Sequence, residues 1–577
     1  MLVYGDAKRR EEAAEKIERI RAGLAGLSDL RPGIERHGAL AEQLVEAGEL
    51  EQALLDHQLA REGRERATSL AERTSRLTRG VAEALLLSFR HQEASPSKVA
   101  SLRTALRSLR RLGLPDDLSV TVPEGYVLYG LYPETYLRAA ERFRQERPRQ
   151  ALRVIGIRSI GTSLAAAVAA AGKAELSISL RPGGHPFARA VTLGNRLSRK
   201  LLSIYTGGRP FYAIVDEGPG FSGSSFGSVA DWLEDRGVAA ESIVFFPSHP
   251  GNPGRYASER HRRRWEQASR HLCSFEELFL SPGCDWPLER WFEDLTGPAE
   301  APLEDLSAGR WQERRKYLLS AGGKRWLLKF AGLGRYGRER LELAEALQDA
   351  GFIPPVTGLR HGFLIGPWLE DARPLPLIVN VDREALLDQV GRYIAFRASR
   401  FPAEGRGTSP EKLLEMAEFN TEQALGKDAA EALRPWRERL PELSALARPV
   451  LTDNRMHAWE WLVLPDGQIL KADALDHHAG NDLVGAQDPA WDLAGAIVEL
   501  GLEKDRLLEA AARHGLRSAP VQLAFYTLAY LAFQIGWHTL AAQALEGMNG
   551  EEAARMRRAA ERYGERLGAI LPSAPGS

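Results

Sequence analysis

The chain of 577 residues has little of several things that usually announce a protein's class. It has two cysteines, Cys273 and Cys284. Neither has zinc-site spacing to other Cys or His, so a disulfide framework and a cysteine zinc site are both excluded, and a reducing compartment is expected. It has no surplus of charge: 76 Lys and Arg stand against 77 Asp and Glu. That balance gives no reason to invoke nucleic acid or an anionic membrane. It has no long apolar run. The most apolar late stretch, Val521 to Leu545, contains Gln522, Gln534, His538 and Gln543, and reads as a buried helix rather than a membrane span. No apolar segment follows the basic residues of MLVYGDAKRREEAAEK, so a secretory leader is not expected and a soluble cytoplasmic protein is. Internal repeats and low-complexity tracts are absent as well.

What is present is a globular composition, 44% apolar and 27% charged, in a chain long enough for three or four domains at about 100–200 residues each. Residues 1–118 are rich in Ala, Leu, Glu and Arg with apolar residues at helical spacing (Ile17, Ile20, Leu24; Leu40, Leu44, Leu50). They read as a helical region, structural in role or the means of forming a homo-oligomer. From 119 to 295 the texture alternates: LSVTVPEGYVLYGL is strand-like and YLRAAERFRQ helical. ALRVIGI, TSLAAAVAAAG, AELSISL, FYAIVDE, SVADWLEDRG and SIVFFPS follow. Short β-branched runs between helices predict a parallel sheet whose ligand loops lie at the carboxyl ends of strands. The polar stretch 296–309 reads as a linker. From 310 to 577, RRKYLLSAGGKRWLLKFAG predicts a hairpin turning at Gly322-Gly323, followed by a charged helix and a mostly helical remainder. The fold class expected is multidomain α/β and α+β.

Two segments carry chemistry. In YAIVDEGPGFSGSSF (212–226) a buried strand delivers Asp216 and Glu217 to its tip. Gly218, Gly220 and Gly223 then let the backbone turn and present N–H groups, Ser222, Ser224 and Ser225 add hydroxyl donors, and a helix N-terminus follows. The chemistry is that of a phosphate held in the loop while the carboxylates grip hydroxyls of its carrier. This segment resembles the phosphoribosyl-diphosphate motif of type I phosphoribosyltransferases. A second strand–loop–helix, VIGIRSIGTSLAAA (154–167), stands where that family keeps its diphosphate loop. The resemblance implies charge from Arg158, with Ser159 and the amides near Gly161 completing the cradle. RPGGHPFARAV (181–191) falls where the family has its mobile covering segment, with Arg181, His185 and Arg189 near the diphosphate. It also implies Mg²⁺ and displacement at an anomeric carbon. The Pro219-Gly220 insertion and the SGSS ending depart from the shorter loop of the family, so the acceptor stays open.

The second segment is ILKADALDHHAGNDLVGAQDPAWDLAGA (469–496), which resembles the aminoglycoside-phosphotransferase branch of the protein-kinase-like fold. Asp473 fits its metal-binding aspartate and Asp488-Pro-Ala-Trp-Asp492-Leu-Ala its later run. The upstream LTDNRMHAWEWLVLPDGQ places Asp453 as the catalytic aspartate that orients the acceptor hydroxyl. The family's metal-binding Asn is missing, and Glu460 takes its place if the Pro465-Asp466-Gly467 turn sets the register. Lys329 is the expected partner of the nucleotide phosphates, the next helix offers Glu339, Glu342 and Glu345 as its ion-pair partner with Glu342 taken first, and 362–375 resembles the hinge. His477 and His478 read as solvated loop residues, and RHRRRW (260–265) as a solvated helix face. The expectation is a bifunctional, Mg²⁺-dependent transferase using phosphoribosyl diphosphate, ATP and an unknown small-molecule acceptor. The rival class is a nucleotide-binding sensor or scaffold whose two catalytic folds are degenerate.

Overall fold

A computed structural model describes residues 8–92, 96–203, 209–306, 314–403, 407–478, 484–546 and 549–571. It is a mixed α/β molecule, rich in helix.

The amino-terminal part forms helices Ala13–Gly26, Ile34–Glu62, Ser69–Phe89 and Pro96–Arg110. Their apolar faces, including Ile17, Ile20, Leu24, Leu44 and Leu85, are buried. Of the strand-like run 118–131, only its start is strand: Asp117–Thr121 pairs antiparallel with Lys8–Glu12. Glu124–Val127 is a short helix behind Pro123.

The middle part is a five-stranded, all-parallel sheet in the order Leu176–Leu180, Leu152–Ile157, Phe211–Val215, Ile243–Phe246, Ser269–Arg270. In chain order this is 2-1-3-4-5, so the chain reverses its direction of travel between the first and third strands. Alternation along the strands separates the two faces. Val154, Ala213 and Val244 pack toward helices Pro133–Glu146 and Gly161–Ala171. Ile155, Ile214 and Phe245 pack toward Asn195–Leu202, Ser224–Glu234 and Glu259–Gln267.

The carboxyl-terminal part has two lobes. The small lobe is an antiparallel sheet, Glu304–Asp305, Lys316–Ala321, Lys324–Phe330, Phe363–Pro367, Gly358–Arg360, backed by helix Arg335–Asp349. The expected linker is therefore partly structured: Glu304 and Asp305 pair with Leu318 and Tyr317 as an edge strand, while 307–309 lie outside the described residues. Arg373–Pro374 crosses into a second sheet with Trp461–Val463 and Ile469–Lys471. The large lobe is helical, and Pro520–Leu545 is the buried helix expected at 521–545. No helix among the described residues is long and apolar enough to cross a membrane.

One continuous core joins these parts. It runs from Ala13 through the sheet residues Val154 and Val215 to Tyr317, Phe330 and Phe363 of the small lobe. Helix Ile34–Glu62 is central to it. At Gly48 a Cβ would lie 2.7 Å from Ser163 Cβ and 3.3 Å from the Ser163 backbone, so only glycine permits this approach to helix Gly161–Ala171. Gly48→Ala is expected to lower stability by about 1–2 kcal/mol despite the better helix former, because overpacking outweighs the propensity gain. A denaturant midpoint unchanged or raised would refute that account of the contact.

Candidate functional site

The cleft between the carboxyl-terminal lobes gathers several of the expected residues. Lys329 lies on the central strand of the small lobe, and its Nζ sits 2.5 Å from Asp473 Oδ1, just beyond strand Ile469–Lys471 of the large lobe. Burial pushes the Asp473 carboxyl up, but Lys329 and then His477 outweigh it and hold the group well below the usual carboxylate range.

Glu342 is not the partner of Lys329. It is exposed on helix Arg335–Asp349. The reason lies in what anchors that helix. Its first turn is tied to the amino-terminal helices: Arg335 pairs with Glu46 at 3.3 Å, Tyr336 Oη donates to Glu49 at 2.6 Å, and Arg338 pairs with Glu42. Its buried face carries Arg340, which donates to the carbonyls of Val127, at 2.6 Å, and Ala331.

Asp453 is buried. It accepts from Tyr393 Oη and lies 3.2 Å from His477 Nδ1 and 3.4 Å from Lys471 Nζ. Burial raises its pKa, yet Lys471, His477 and Arg397 together hold it ionised. Its loop is clamped from behind. Asp492 accepts the N–H groups of Asp453 at 2.7 Å and Asn454 at 2.9 Å, with Asn454 at φ 66. Asp488 accepts the N–H of Arg448 and of Ala490, each at 2.9 Å. The Asp-Pro-Ala-Trp-Asp run thus fixes the backbone that carries Asp453.

Glu460 lies with Asp453 and His477 in a group that could hold a metal ion, and in this structure Lys471 is bonded to Glu460. Lys471 Nζ lies 2.7 Å from it and also donates to the Asp473 carbonyl, so an ammonium fills the space between Asp453 and Glu460. Lys471 is the last residue of strand Ile469–Lys471, and Asp473 lies two residues further on, beyond the strand. Nothing in the local sequence marked Lys471 as the partner of Glu460 and Asp453. His477 is not solvated either: it is buried between the two aspartates, 3.2 Å from Asp453 and 3.7 Å from Asp473.

The second group of expected residues lies at the carboxyl ends of strands Leu152–Ile157 and Phe211–Val215, at the reversal point of the parallel sheet, where open α/β sheets bind ligands. The two loops touch: a Cβ on Gly161 would lie 2.6 Å from the Val215 carbonyl and 3.5 Å from Asp216 Oδ1. The peptide between Arg158 and Ser159 is cis. Asp216 and Glu217 are half-buried. Burial, with Glu217 beside it, pushes Asp216 up to about 8, and burial pushes Glu217 up to about 7. Gly220 and Gly223 take φ 59 and φ 63, which the turn into helix Ser224–Glu234 requires.

Three expectations here need correction. Arg158 does not face an open cradle. It is buried, paired with Glu65 and 3.3 Å from Asp56 of the amino-terminal part. Arg181 likewise pairs with Asp56 and donates to the Arg158 carbonyl at 3.0 Å. The loop hydroxyls are engaged too. Ser222 and Ser224 donate to the Pro186 carbonyl at 3.0 and 2.7 Å, and Ser225 accepts from Arg189 at 2.8 Å. The hairpin Gly183–His185, Ala188–Ala190 thus rests on the loop. Above it Phe187 and Tyr256, both largely exposed, stack at 4.5 Å. The basic run at 260–265 is spent locally, Arg264 on Asp231 and Glu234 and Arg260 on Asp231.

No family model matches the chain, and no curated protein matches it. Among solved structures, the choline kinase LicA from Streptococcus pneumoniae is similar at 16% identity and TM-score 0.34, covering 48% of this chain and 98% of its own. A choline/ethanolamine kinase family protein from Mesorhizobium loti is similar at 15% identity and TM-score 0.33, covering 48% and 90%. A spectinomycin phosphotransferase in complex with ADP and spectinomycin is similar at 14% identity and TM-score 0.35, covering 49% and 97%.

Proposed function

We propose that the carboxyl-terminal cleft transfers the γ-phosphoryl group of ATP to a hydroxyl of a small molecule. The observation that carries this reading is the Lys329–Asp473 pair joining the two lobes in front of the ionised, clamped Asp453. Lys329 exchanges Asp473 for the nucleotide phosphates, and Asp473 is freed to hold a cation. The acceptor oxygen forms a bond to the γ-phosphorus, the bond to the ADP oxygen breaks, and the hydroxyl proton moves toward the Asp453 carboxylate. Mg²⁺ is the cofactor this donor set suits, because carboxylate oxygens, phosphate oxygens and water are its preferred ligands. Asp473 fits that role, whereas Glu460 does not while Lys471 is bonded to it. ATP consumption with a panel of amino alcohols, sugars and aminoglycosides tests the reading. Turnover that is absent with every acceptor, alongside ATP binding, would count against it.

The middle part is proposed to bind phosphoribosyl diphosphate, with Asp216 and Glu217 on the ribose hydroxyls and the 218–225 loop on the 5-phosphate. Transfer of the sugar breaks the anomeric bond to diphosphate and forms one to an acceptor. The exposed Phe187–Tyr256 stack suits a flat acceptor ring. Reaching the diphosphate requires Arg158 and Arg181 to leave Asp56 and Glu65. Release of diphosphate is the readout, and Asp216→Asn is expected to reduce it at least ~100-fold, the scale for loss of a positioned catalytic group. Diphosphate release unaffected by Asp216→Asn would remove this half of the reading.

A sensor or scaffold is the second reading, and one observation favours it: cations of the chain itself sit at Glu460, and acids of the chain itself sit at Arg158 and Arg181. It predicts ligand-induced thermal shifts without turnover at either centre.

A further inference from the structure

Away from both centres, three parts of the chain meet at a buried cluster of donors. His37 comes from helix Ile34–Glu62, Glu134 from the first turn of helix Pro133–Glu146, and His361 from the turn between strands Gly358–Arg360 and Phe363–Pro367. The Nε2 atoms of His37 and His361 each lie 2.9 Å from Glu134 Oε1. One ligand atom from each residue falls within 4.8 Å of the others. The side chains are 2%, 0% and 1% exposed for His37, Glu134 and His361.

We propose that His37, Glu134 and His361 bind a divalent transition-metal ion of the zinc class, which clips the amino-terminal helices, the parallel-sheet part and the small lobe together. Four observations support it. First, Glu134 Oε2 is buried without a hydrogen-bond partner. An orphaned buried oxygen is costly, and coordination through both carboxylate oxygens removes the cost. Second, His37 Nδ1 lies 3.0 Å from Ser88 Oγ. A partner on the second ring nitrogen fixes the imidazole and leaves Nε2 to face the metal. Third, the three side chains converge from separate parts of the chain, each offering one ligand atom within 4.8 Å of the others, and all three are buried. Fourth, the walls are aromatic: Trp286 stacks on His37 at 4.4 Å, and Tyr132 and Trp291 lie 5.0 and 5.2 Å from His361. His361 itself has φ 41, a left-handed conformation that non-glycine residues adopt at a cost.

The donor set selects the ion. Two imidazole nitrogens and a carboxylate suit Zn²⁺, Co²⁺ or Ni²⁺ and not Mg²⁺, which prefers oxygen and keeps its waters. The separation of the three ligands in sequence makes the role structural.

The test uses the full chain, stripped with chelator and titrated with Co²⁺. The expected result is a tetrahedral or five-coordinate visible absorption saturating at about one equivalent, as a three-residue site implies, and a Zn²⁺-dependent rise in the unfolding midpoint. His361→Ala abolishes both. Because alanine leaves a cavity at this buried position, His361→Cys is made in parallel, and it should keep the Co²⁺ spectrum while adding a thiolate charge-transfer band. Asp473→Asn separates this cluster from the acids of the phosphoryl-transfer cleft and should leave the spectrum intact. The proposal is overturned if the wild type gives neither Co²⁺ absorption nor a Zn²⁺ shift. It is equally overturned if the signal survives in His361→Ala and His361→Cys unchanged but is lost in Asp473→Asn or His477→Ala.

Discussion

Asp473→Asn should reduce Mg²⁺-dependent ATP turnover by about a thousandfold or more, the scale at which charge-stabilising groups act on phosphoryl transfer. The substitution keeps the shape of the side chain and removes its charge. Asp473 has two partners in this structure, Lys329 at 2.5 Å and His477 at 3.7 Å, and its side chain is 21% exposed. Losing the charge therefore frees Lys329 at the edge of a cleft rather than stranding it in a core, and solvent compensates. The unfolding midpoint should move little while turnover collapses. Nucleotide binding read with a fluorescent ADP should weaken mainly in its Mg²⁺ dependence. ATP turnover within threefold of wild type would show that Asp473 is not the cation-holding residue.

Lys471→Met should have the largest effect on stability. Lys471 is fully buried, 2.7 Å from Glu460 and 3.4 Å from Asp453. Methionine fills much the same volume but leaves two carboxylates without their shared cation. Removing one partner of a buried ion pair costs about 3–5 kcal/mol. The pH dependence identifies the cause. In the wild type the Asp453 pKa is depressed, so its share of stability is present above the unfolded-state carboxyl value and is lost as pH falls through the folded-state value. In Lys471→Met that depression is relieved and the acids take up protons more readily. The difference from wild type should be greatest near neutral pH and shrink toward pH 5. A deficit of the same size at both pH values would point to packing instead. The variant also separates the two functional readings. With the ammonium gone, Glu460 is available to a cation, so added Mg²⁺ should stabilise Lys471→Met more than the wild type.

Much of this molecule was legible because its elements follow local rules. Four of the five strands of the parallel sheet lie where the alternation of strands and helices put them, whereas the edge strand Ser269–Arg270, two polar residues long, was not expected. The hairpin at Gly322-Gly323 turns where two glycines allow φ 60 and φ 68. Asp453, Asp473 and Lys329 were singled out by a resemblance to the kinase-like fold, and the structure places Lys329 against Asp473. What was not readable is the set of partners that come from far along the chain. Glu342 stands at a reasonable helical position, but the rotation of its helix is set by Glu42, Glu46 and Glu49, almost 300 residues earlier. Arg158 and Arg181 look like free phosphate ligands until Asp56 and Glu65 are brought beside them. Residues 296–306 look like a linker because polar composition does not distinguish a free segment from an edge strand. Lys471 was missed as well, because the fold and not its own strand brings Asp453 and Glu460 to it.

The single core that passes through all three regions has a consequence for how the chain can be divided. Tyr317, Phe330 and Phe363 on the inner side of the small-lobe sheet pack against Tyr132, Phe275 and Trp291, which precede that lobe in sequence. A fragment cut at residue 310 would keep Lys329, Asp453 and Asp473, yet it would carry this aromatic surface bare, and contiguous exposed apolar surface drives self-association. The unit that folds is thus larger than the small lobe, and the middle part of the chain is also one of its walls.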